Sequence, residues 1–164
     1  MASKRLKSSL NDHTHLTVMA ELAGGPGFKT GPIETFLGAV QEAGSASFPE
    51  GYDFAGIALP QSPGGVANIE PTDALNKLSA KKLLEGLDVI PHITCKDQNV
   101  NAITSALVGL MSNGVESVLA LTGDKPVGAK GVFELEAVNL LDLIQRLNRQ
   151  SMLKATPDQW DEVP

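Results

Sequence analysis

The chain has 164 residues, 42% of them hydrophobic and 20% charged, a composition that suits one globular domain with a sizeable core. A net charge of −6 and an aromatic content of 4% argue against binding to nucleic acid, which favours positive charge and stacking rings. No apolar run approaches the length of a membrane span, and no apolar region follows the basic N-terminus as in a secretory signal. The single cysteine, Cys95, cannot form an intrachain disulfide, so a soluble cytoplasmic protein is predicted.

Four short apolar segments along the chain predict β-strands, and each is followed by polar residues or by glycine and proline. The third segment is the least regular, because Pro91 provides no donor for a β-ladder. Its apolar flanks still favour a strand. The predicted strands cover residues 16–22, 54–59, 89–94 and 117–121.

An amphipathic pattern follows each predicted strand and predicts four helices, with loops over residues 23–32 and 44–51 between the early elements. The second helix is expected to begin near Pro71 and to stop at Gly86. The third covers residues 100–112 and ends at Asn113-Gly114, and the fourth covers about 135–149. The residues expected to face the core are Phe36, Leu37 and Val40, then Ala74, Leu75, Leu78 and Leu83, then Ile103, Ala106, Leu107 and Leu110, and finally Val138, Leu141, Ile144 and Leu147.

Four consecutive βα units predict an α/β fold with parallel strands covered by helices. Two architectures fit this pattern, an open doubly wound sheet and the first half of a (β/α)8 TIM barrel. A complete barrel needs about 250 residues, so only about the first four βα units are present. The predicted organisation is an N-terminal extension over residues 1–15, half of a barrel over 16–150, and a linker over 151–164 toward a missing second half.

A half-barrel has consequences for assembly, because its two outer strands keep unpaired backbone groups and its concave side exposes apolar residues. Such a chain is expected to form an oligomer, to pair with a separate second half-barrel, or to be a fragment of a longer enzyme. The tail from Ala155 to Pro164 reads as a loop that continues elsewhere, which favours the fragment.

The third and fourth predicted strands end in polar residues, at the end where parallel α/β barrels carry their chemistry. These residues lie in the segments His92–Asp97 and Leu121–Asp124. Each candidate also has a plainer interpretation. Glu21 could be a solvated strand end, His92 a hydrogen-bonded core histidine, and Asp124 a turn former or helix N-cap. Cys95 is interpreted as a small buried residue rather than a nucleophile.

The segment Gly24–Thr30 looks at first like a phosphate-binding loop, since it follows a strand and ends in Lys-Thr. Such a loop needs glycine directly before the lysine, so that successive backbone N–H groups can surround the phosphates. Phe28 occupies that position, and Pro26 removes one of the donors. A nucleoside triphosphatase is therefore not predicted.

Three segments of the chain together resemble the methylenetetrahydrofolate reductase family, whose members are flavin-dependent (β/α)8 barrels. His92-Ile93-Thr94-Cys95-Lys96-Asp97 is similar to the family's His-Leu-Thr-Cys strand end. Ala120-Leu121-Thr122-Gly123-Asp124-Lys125-Pro126 is similar to its Ala-Leu-x-Gly-Asp-x-Pro segment. Val18–Leu22 is similar to its first strand, which carries a glutamate at the barrel mouth. The resemblance covers most of residues 16 to 149.

The resemblance implies an oxidoreductase in which reduced FAD gives a hydride to 5,10-methylenetetrahydrofolate and produces 5-methyltetrahydrofolate, a step of one-carbon metabolism and methionine biosynthesis. Ring opening in the folate needs a proton, and a carboxylic acid in a partly desolvated barrel mouth suits that task. By position, Glu21 would be this acid and Asp124 would tune the charge of the flavin and pterin rings. The residues that match FAD contacts in the family are His92, Leu121, Thr122, Gly123 and Asp124. The electron donor would be NADH, NADPH or a redox protein.

The sequence departs from the family's pattern in places that bear on the flavin site. Ala23-Gly24-Gly25-Pro26 stands where the family usually has paired prolines, and Leu59-Pro60 stands near a threonine that many members place by the flavin. Thr122 replaces an arginine of some members. Two alternatives therefore stay open: a flavin-independent pterin or folate-binding barrel of the methyltransferase type, and a non-catalytic half-barrel that acts as a partner subunit.

Overall fold

A computed structural model describes residues 5–23, 31–43 and 49–152 of the chain. Four parallel strands form one curled sheet, and helices alternate with the strands along the sequence. The elements are α1 (Arg5–Asn11), β1 (Leu16–Glu21), α2 (Gly31–Ala43), β2 (Tyr52–Leu59), a 3₁₀ turn (Pro63–Gly65), α3 (Pro71–Ala80), β3 (Asp88–Thr94), α4 (Val100–Ser112), β4 (Leu119–Leu121) and α5 (Ala137–Met152).

The order of the strands in the sheet decides between the two predicted architectures. Neighbours in space are neighbours in sequence, β1-β2-β3-β4, and all three pairs are parallel. A doubly wound sheet needs a point where the strand order reverses, so that helices cover both faces. Right-handed connections in a sequential order instead put the helices on one face. The structure is therefore an α/β half-barrel, which confirms the predicted TIM-barrel type.

One hydrophobic core lies between the helices and one face of the sheet. Paired residues of parallel strands point to the same side, and the helix-facing residues include Ile57 of β2 and Ile93 of β3. The core residues of the helices, all buried, are Ile33, Leu37, Ala74, Leu75, Leu78, Ile103, Leu107, Leu110 and Leu140. The opposite, concave face carries Met19 and Glu21, Ala58, Ile90, His92 and Thr94, and Leu119 and Leu121.

A bulge in β2 explains why its buried residues do not alternate strictly. Val18 pairs with Phe54 and Met19 pairs with Gly56, so Ala55 is an extra residue in β2. An extra residue reverses the alternation of side chains between the two faces. Phe54 and Ile57 therefore both face the helices, although they are three positions apart.

The irregular third strand also has a physical explanation. Pro91 is the last β3 residue paired with β2, and His92 is the first paired with β4. The missing N–H of Pro91 thus falls where one ladder ends and the next begins, which is a position that a proline tolerates. The prediction of a strand over this segment is confirmed.

Helix α1 was not predicted; it lies within the segment interpreted as an extension. It packs on β1 and β2 near their N-terminal ends. The backbone N–H of Leu6 donates to Asp88 Oδ2 over 2.6 Å, and the hydroxyls of Ser9 and Thr17 are 2.8 Å apart. Asp88 is the first residue of β3 and Thr17 is the second residue of β1, so α1 covers the end of the half-barrel opposite to the strand ends of interest.

The second predicted helix ends earlier than Gly86, so the placement of Leu83 on it was wrong. Helix α3 stops at Ala80, and Lys82 adopts a left-handed conformation with φ 57°. Lys82 N donates to Ser79 O and Leu83 N donates to Leu78 O, the two hydrogen bonds of a Schellman cap. Such caps usually use glycine, and a lysine gives no sequence signal for this ending.

The inward face predicted for the fourth helix is partly wrong. Leu140 is fully buried in α5, while Val138 is 76% exposed and Leu141 53% exposed. The helix carries two apolar stripes, and periodicity alone does not tell which one meets β4. Ile144 and Leu147 do pack against the core, as expected.

Some predictions fall on parts of the chain outside the described residues. They are the glycine-rich segment over 24–30, most of the loop over 44–51, and the tail from residue 153.

Among the described residues, no helix is long and apolar enough to cross a membrane. The cytoplasmic location stays a prediction.

Candidate functional site

The candidate residues gather at the carboxyl edge of the sheet, on its concave face. Glu21 ends β1 and is level with Ala58 of β2 and Ile90 of β3. His92 points to the same face two positions beyond Ile90, and it pairs with Leu119 of β4. The sheet thus places Glu21, at the end of β1, and His92, in β3, on the same concave face, near the edge to which the strand-end rule points.

His92 is buried, with 7% of its surface exposed, whereas Glu21 is exposed. Burial lowers the pKa of His92 from its ordinary value, and the nearby charge of Glu21 partly opposes this effect. The imidazole is therefore mainly neutral at pH 7, with one nitrogen able to donate and the other able to accept.

Replacing Glu21 by glutamine is expected to lower the pKa of His92 further, because the charge that favours the imidazolium is removed. The pKa can be read from the pH dependence of the His92 ring signals in NMR spectra. Glu116→Gln, an exposed change at the other end of β4, is the matched control and should leave the titration unchanged. An unchanged His92 titration in Glu21→Gln would show that the two side chains do not interact.

The same pKa shift predicts a pH dependence of stability. The unfolded chain takes up a proton on His92 near pH 6.5, and the folded chain does so only at a lower pH. The contribution of His92 to the free energy of unfolding is therefore fully present above pH 6.5. It is lost as the pH falls through the lower pKa that His92 has in the folded chain.

The turn after β4 lies directly on the end of β3. Gly123 has φ +95°, and a methyl group there would be 2.8 Å from Lys96 Cβ and 3.0 Å from Thr94 Cβ. Only glycine fits this close approach without displacing β3. Thr122 accepts a hydrogen bond on Oγ1 from Ala137 N at the start of α5, over 3.2 Å. The turn is thus held both by the strand and by the next helix.

Asp124 is exposed and joins two loops. Its Oδ2 accepts from Gly64 N over 2.9 Å, and Val127 N donates to Gly65 O over 3.2 Å. These bonds connect the loop after β2 to the loop after β4, across the end of β3. The helix N-cap interpretation is wrong, since α5 begins at Ala137; the carboxylate instead orders the mouth of the half-barrel.

A buried polar network beside the site was missed by sequence reasoning. Gln61, 6% exposed, accepts on Oε1 from Thr94 N over 2.7 Å, from Thr94 Oγ1 over 2.9 Å and from Gln98 Nε2 over 3.1 Å. Its Nε2 donates to Glu70 Oε2 over 2.8 Å. The amide continues the β2–β3 pairing beyond the point where β2 ends. The position of Gln61 two residues after the end of a strand is the feature of the sequence that could have identified it.

Cys95 lies on the helix side of β3 and is fully buried. Burial raises the pKa of its thiol, so the reactive thiolate is disfavoured at neutral pH. The interpretation of Cys95 as a small core residue is confirmed.

In a comparison with known proteins, the part of the chain that carries most of this site matches one protein family. The family model described as methylenetetrahydrofolate reductase matches residues 65–155, more than half of the chain. The match includes His92 and the turn from Leu121 to Asp124, and it begins after Glu21.

Two curated plant proteins are similar to a shorter part of the chain. Methylenetetrahydrofolate reductase (NADH) 1 of Zea mays is 36% identical over 63 residues, which is 37% of this chain and 11% of that protein. Probable methylenetetrahydrofolate reductase (NADH) of Oryza sativa subsp. japonica is 35% identical over 63 residues, with the same coverage. The aligned segment therefore spans about a tenth of the length of these relatives.

Proposed function

Because the chain belongs to the methylenetetrahydrofolate reductase family, we propose that it forms half of a flavin-dependent barrel that reduces 5,10-methylenetetrahydrofolate to 5-methyltetrahydrofolate. The observation that carries this proposal is the pairing of His92 with Leu119 of β4, two residues before the turn that begins at Leu121, near the carboxyl edge of a parallel half-barrel. Residues 16–150 form the half-barrel in this proposal, and residues 151–164 lead toward the second half.

The described residues fit the flat ring of FAD. Leu119, 43% exposed, and Leu121 give the concave face an apolar wall on β4, and Ile90 lies on the same face of β3, two residues before His92. The neutral imidazole of His92 offers a polar contact without placing a charge against the ring. We propose His92, Leu121, Thr122, Gly123 and Asp124 as the residues of this chain that hold the cofactor. Bound FAD, once reduced by the nicotinamide, would supply the hydride.

We propose Glu21 as the residue that protonates the leaving nitrogen of the folate, with Asp124 adding negative charge near the rings. Glu21 is on the same face as His92, and its negative charge acts to raise the pKa of the imidazole against the larger effect of burial, which supports a common site. The carboxyl group is exposed, so the proposal requires that the bound ligands or a further wall of the barrel remove water from it.

The reductant in this proposal is a nicotinamide, by extension from the two plant relatives whose names include NADH. Completion of the barrel by a second half or another copy is part of the same proposal. The exposed Val138 and Leu141 on α5 support it, because an apolar stripe beside the outer strand β4 suits packing against a further βα unit.

Titration of FAD with the chain, followed by flavin fluorescence, tests the cofactor part of the proposal. Leu119→Asp puts a charge on the apolar wall and is expected to weaken FAD binding at least tenfold, or about 1.4 kcal/mol. Leu10→Asp is the matched control, since Leu10 is a 61% exposed leucine on α1 at the other end of the half-barrel. It should bind as the unmodified chain does.

Two results would contradict the proposed function. If the chain binds a reduced folate but no FAD, a flavin-independent folate-binding barrel is the better assignment. If it binds neither, alone or with a second half-barrel added, the non-catalytic partner subunit is favoured.

A further inference from the structure

Asp97, the residue directly after Lys96 at the end of β3, binds both backbone groups of one residue in a distant loop. Asp97 N donates to Val132 O over 2.7 Å, and Val132 N donates to Asp97 Oδ1 over 3.0 Å. Asp97 adopts a left-handed backbone conformation, with φ 57°. Its N–H and its carboxylate both bind Val132. Two such bonds fix the position of Val132 more firmly than either one alone.

The second carboxylate oxygen of Asp97 binds a buried cation. Lys96 Nζ donates to Asp97 Oδ2 over 2.7 Å, and only 8% of Lys96 is exposed. The hydrogen bonds from Lys96 and Val132 hold the pKa of the Asp97 carboxyl below its ordinary range, so the group is ionised at neutral pH. Lys96 is also the residue against which Gly123 rests.

The loop that Asp97 holds directly follows Asp124. It runs from Lys125 to Leu135, and its first part is fixed by Asp124 and Val127 to the loop after β2. Its last part is fixed by Glu134 Oε2, which accepts from Val100 N over 3.0 Å at the start of α4. Asp97 holds the part of the loop between these two attachments, through its two hydrogen bonds with Val132.

We propose that Asp97 is a positioning residue for the candidate site: it holds the loop over residues 125–135 against the segment that follows β3, so that Gly123 stays against Thr94 and Asp124 stays bonded to Gly64. The carboxylate acts through this loop and does not itself contact the ligand. This proposal rests on the proposed function only for the identity of the ligand, FAD.

Three variants of the full chain separate the contacts of Asp97. Asp97→Ala removes both carboxylate contacts. Asp97→Asn keeps an oxygen for Val132 N but loses the charged partner of Lys96. Asp12→Ala is the matched control, because Asp12 also accepts a backbone hydrogen bond, from Thr14 N over 2.9 Å, but lies before β1.

The first readout is NMR, which needs no ligand. Asp97→Ala is expected to speed amide hydrogen exchange of Val132 at least tenfold and to shift the amide signals of Gly123 and Asp124. Asp97→Asn should give smaller changes of the same kind, and Asp12→Ala none at these positions. Unchanged Gly123 and Asp124 signals in Asp97→Ala would overturn the proposal.

The second readout is the dissociation constant for FAD, corrected for the folded fraction measured by urea unfolding. Asp97→Ala should raise it at least fivefold, with most of the affinity restored in Asp97→Asn. A loss of stability with unchanged affinity per folded chain would show a purely structural role and overturn the proposal. If the unmodified chain binds no FAD, the proposed function fails, while the NMR readout still decides the role of Asp97.

Discussion

Gly56→Ala is expected to lower the free energy of unfolding by more than about 3 kcal/mol, enough to leave much of the chain unfolded. A methyl group on Gly56 would overlap the carbonyl group of Asp88 on the neighbouring strand and lie 2.9 Å from Asp88 N. The obstacle is backbone, which cannot move aside by a change of rotamer. Relief would require separating β2 from β3 in the centre of the sheet. Urea unfolding followed by circular dichroism measures the effect.

The control for this substitution is Gly38→Ala, the same chemical change in a helix. Gly38 lies in α2, and no atom comes within 4 Å of a methyl group placed there. Alanine is favoured over glycine inside helices, so this variant should gain about 0.5–1 kcal/mol. Equal effects of the two substitutions would refute the close approach of β2 and β3 at Gly56.

Gln61→Leu is expected to destabilise the chain by about 2–4 kcal/mol, because it leaves two buried polar groups of Thr94 without the acceptor that they share. Leucine has a similar volume, so the loss is mainly that of hydrogen bonding. The change should also disorder the end of β3 near the candidate site. The free energy of unfolding in urea and the amide exchange rate of Thr94 measure the two effects.

Gln41→Leu provides the matched control for Gln61→Leu. Gln41 is exposed on α2, and its amide makes one long hydrogen bond, 3.3 Å, to Lys82 O. Exposed substitutions of this kind usually change stability by no more than about 0.5 kcal/mol. If Gln61→Leu has a similarly small effect, the buried network around Gln61 does not stabilise the strand end.

Local patterns in the sequence were sufficient for most elements. Helix α4 begins and ends at the predicted residues, because Asn99 caps its start and Gly114, with φ +78°, ends it. Strand β1 differs from its prediction by one residue, since alternation and the following glycine-rich segment define it. Where the local signal was absent or ambiguous, at Lys82 and on the two apolar stripes of α5, the prediction failed.

The candidate site was predicted in part for the same reason. A polar residue at the end of an apolar strand is visible in the sequence, and this rule drew attention to Glu21, His92 and Asp124, while the resemblance to the reductase family gave them their expected roles. Their roles as FAD ligands or as acids remain predictions. Gln61 and Asp97 were not singled out, because their importance depends on partners in other loops.

The sequence by itself determined a parallel α/β fold and the edge of the sheet where polar groups collect, because strand and helix periodicity are properties of short segments. The sequential strand order that makes the fold a half-barrel came from the tertiary structure. The tertiary structure decided what holds that edge together. Gln61 binds a strand end 33 residues away, Asp97 holds a loop 35 residues away, and Asp124 joins a loop 60 residues away. These contacts form only after the strands align in sequential order, since that order brings the loops after β2, β3 and β4 side by side.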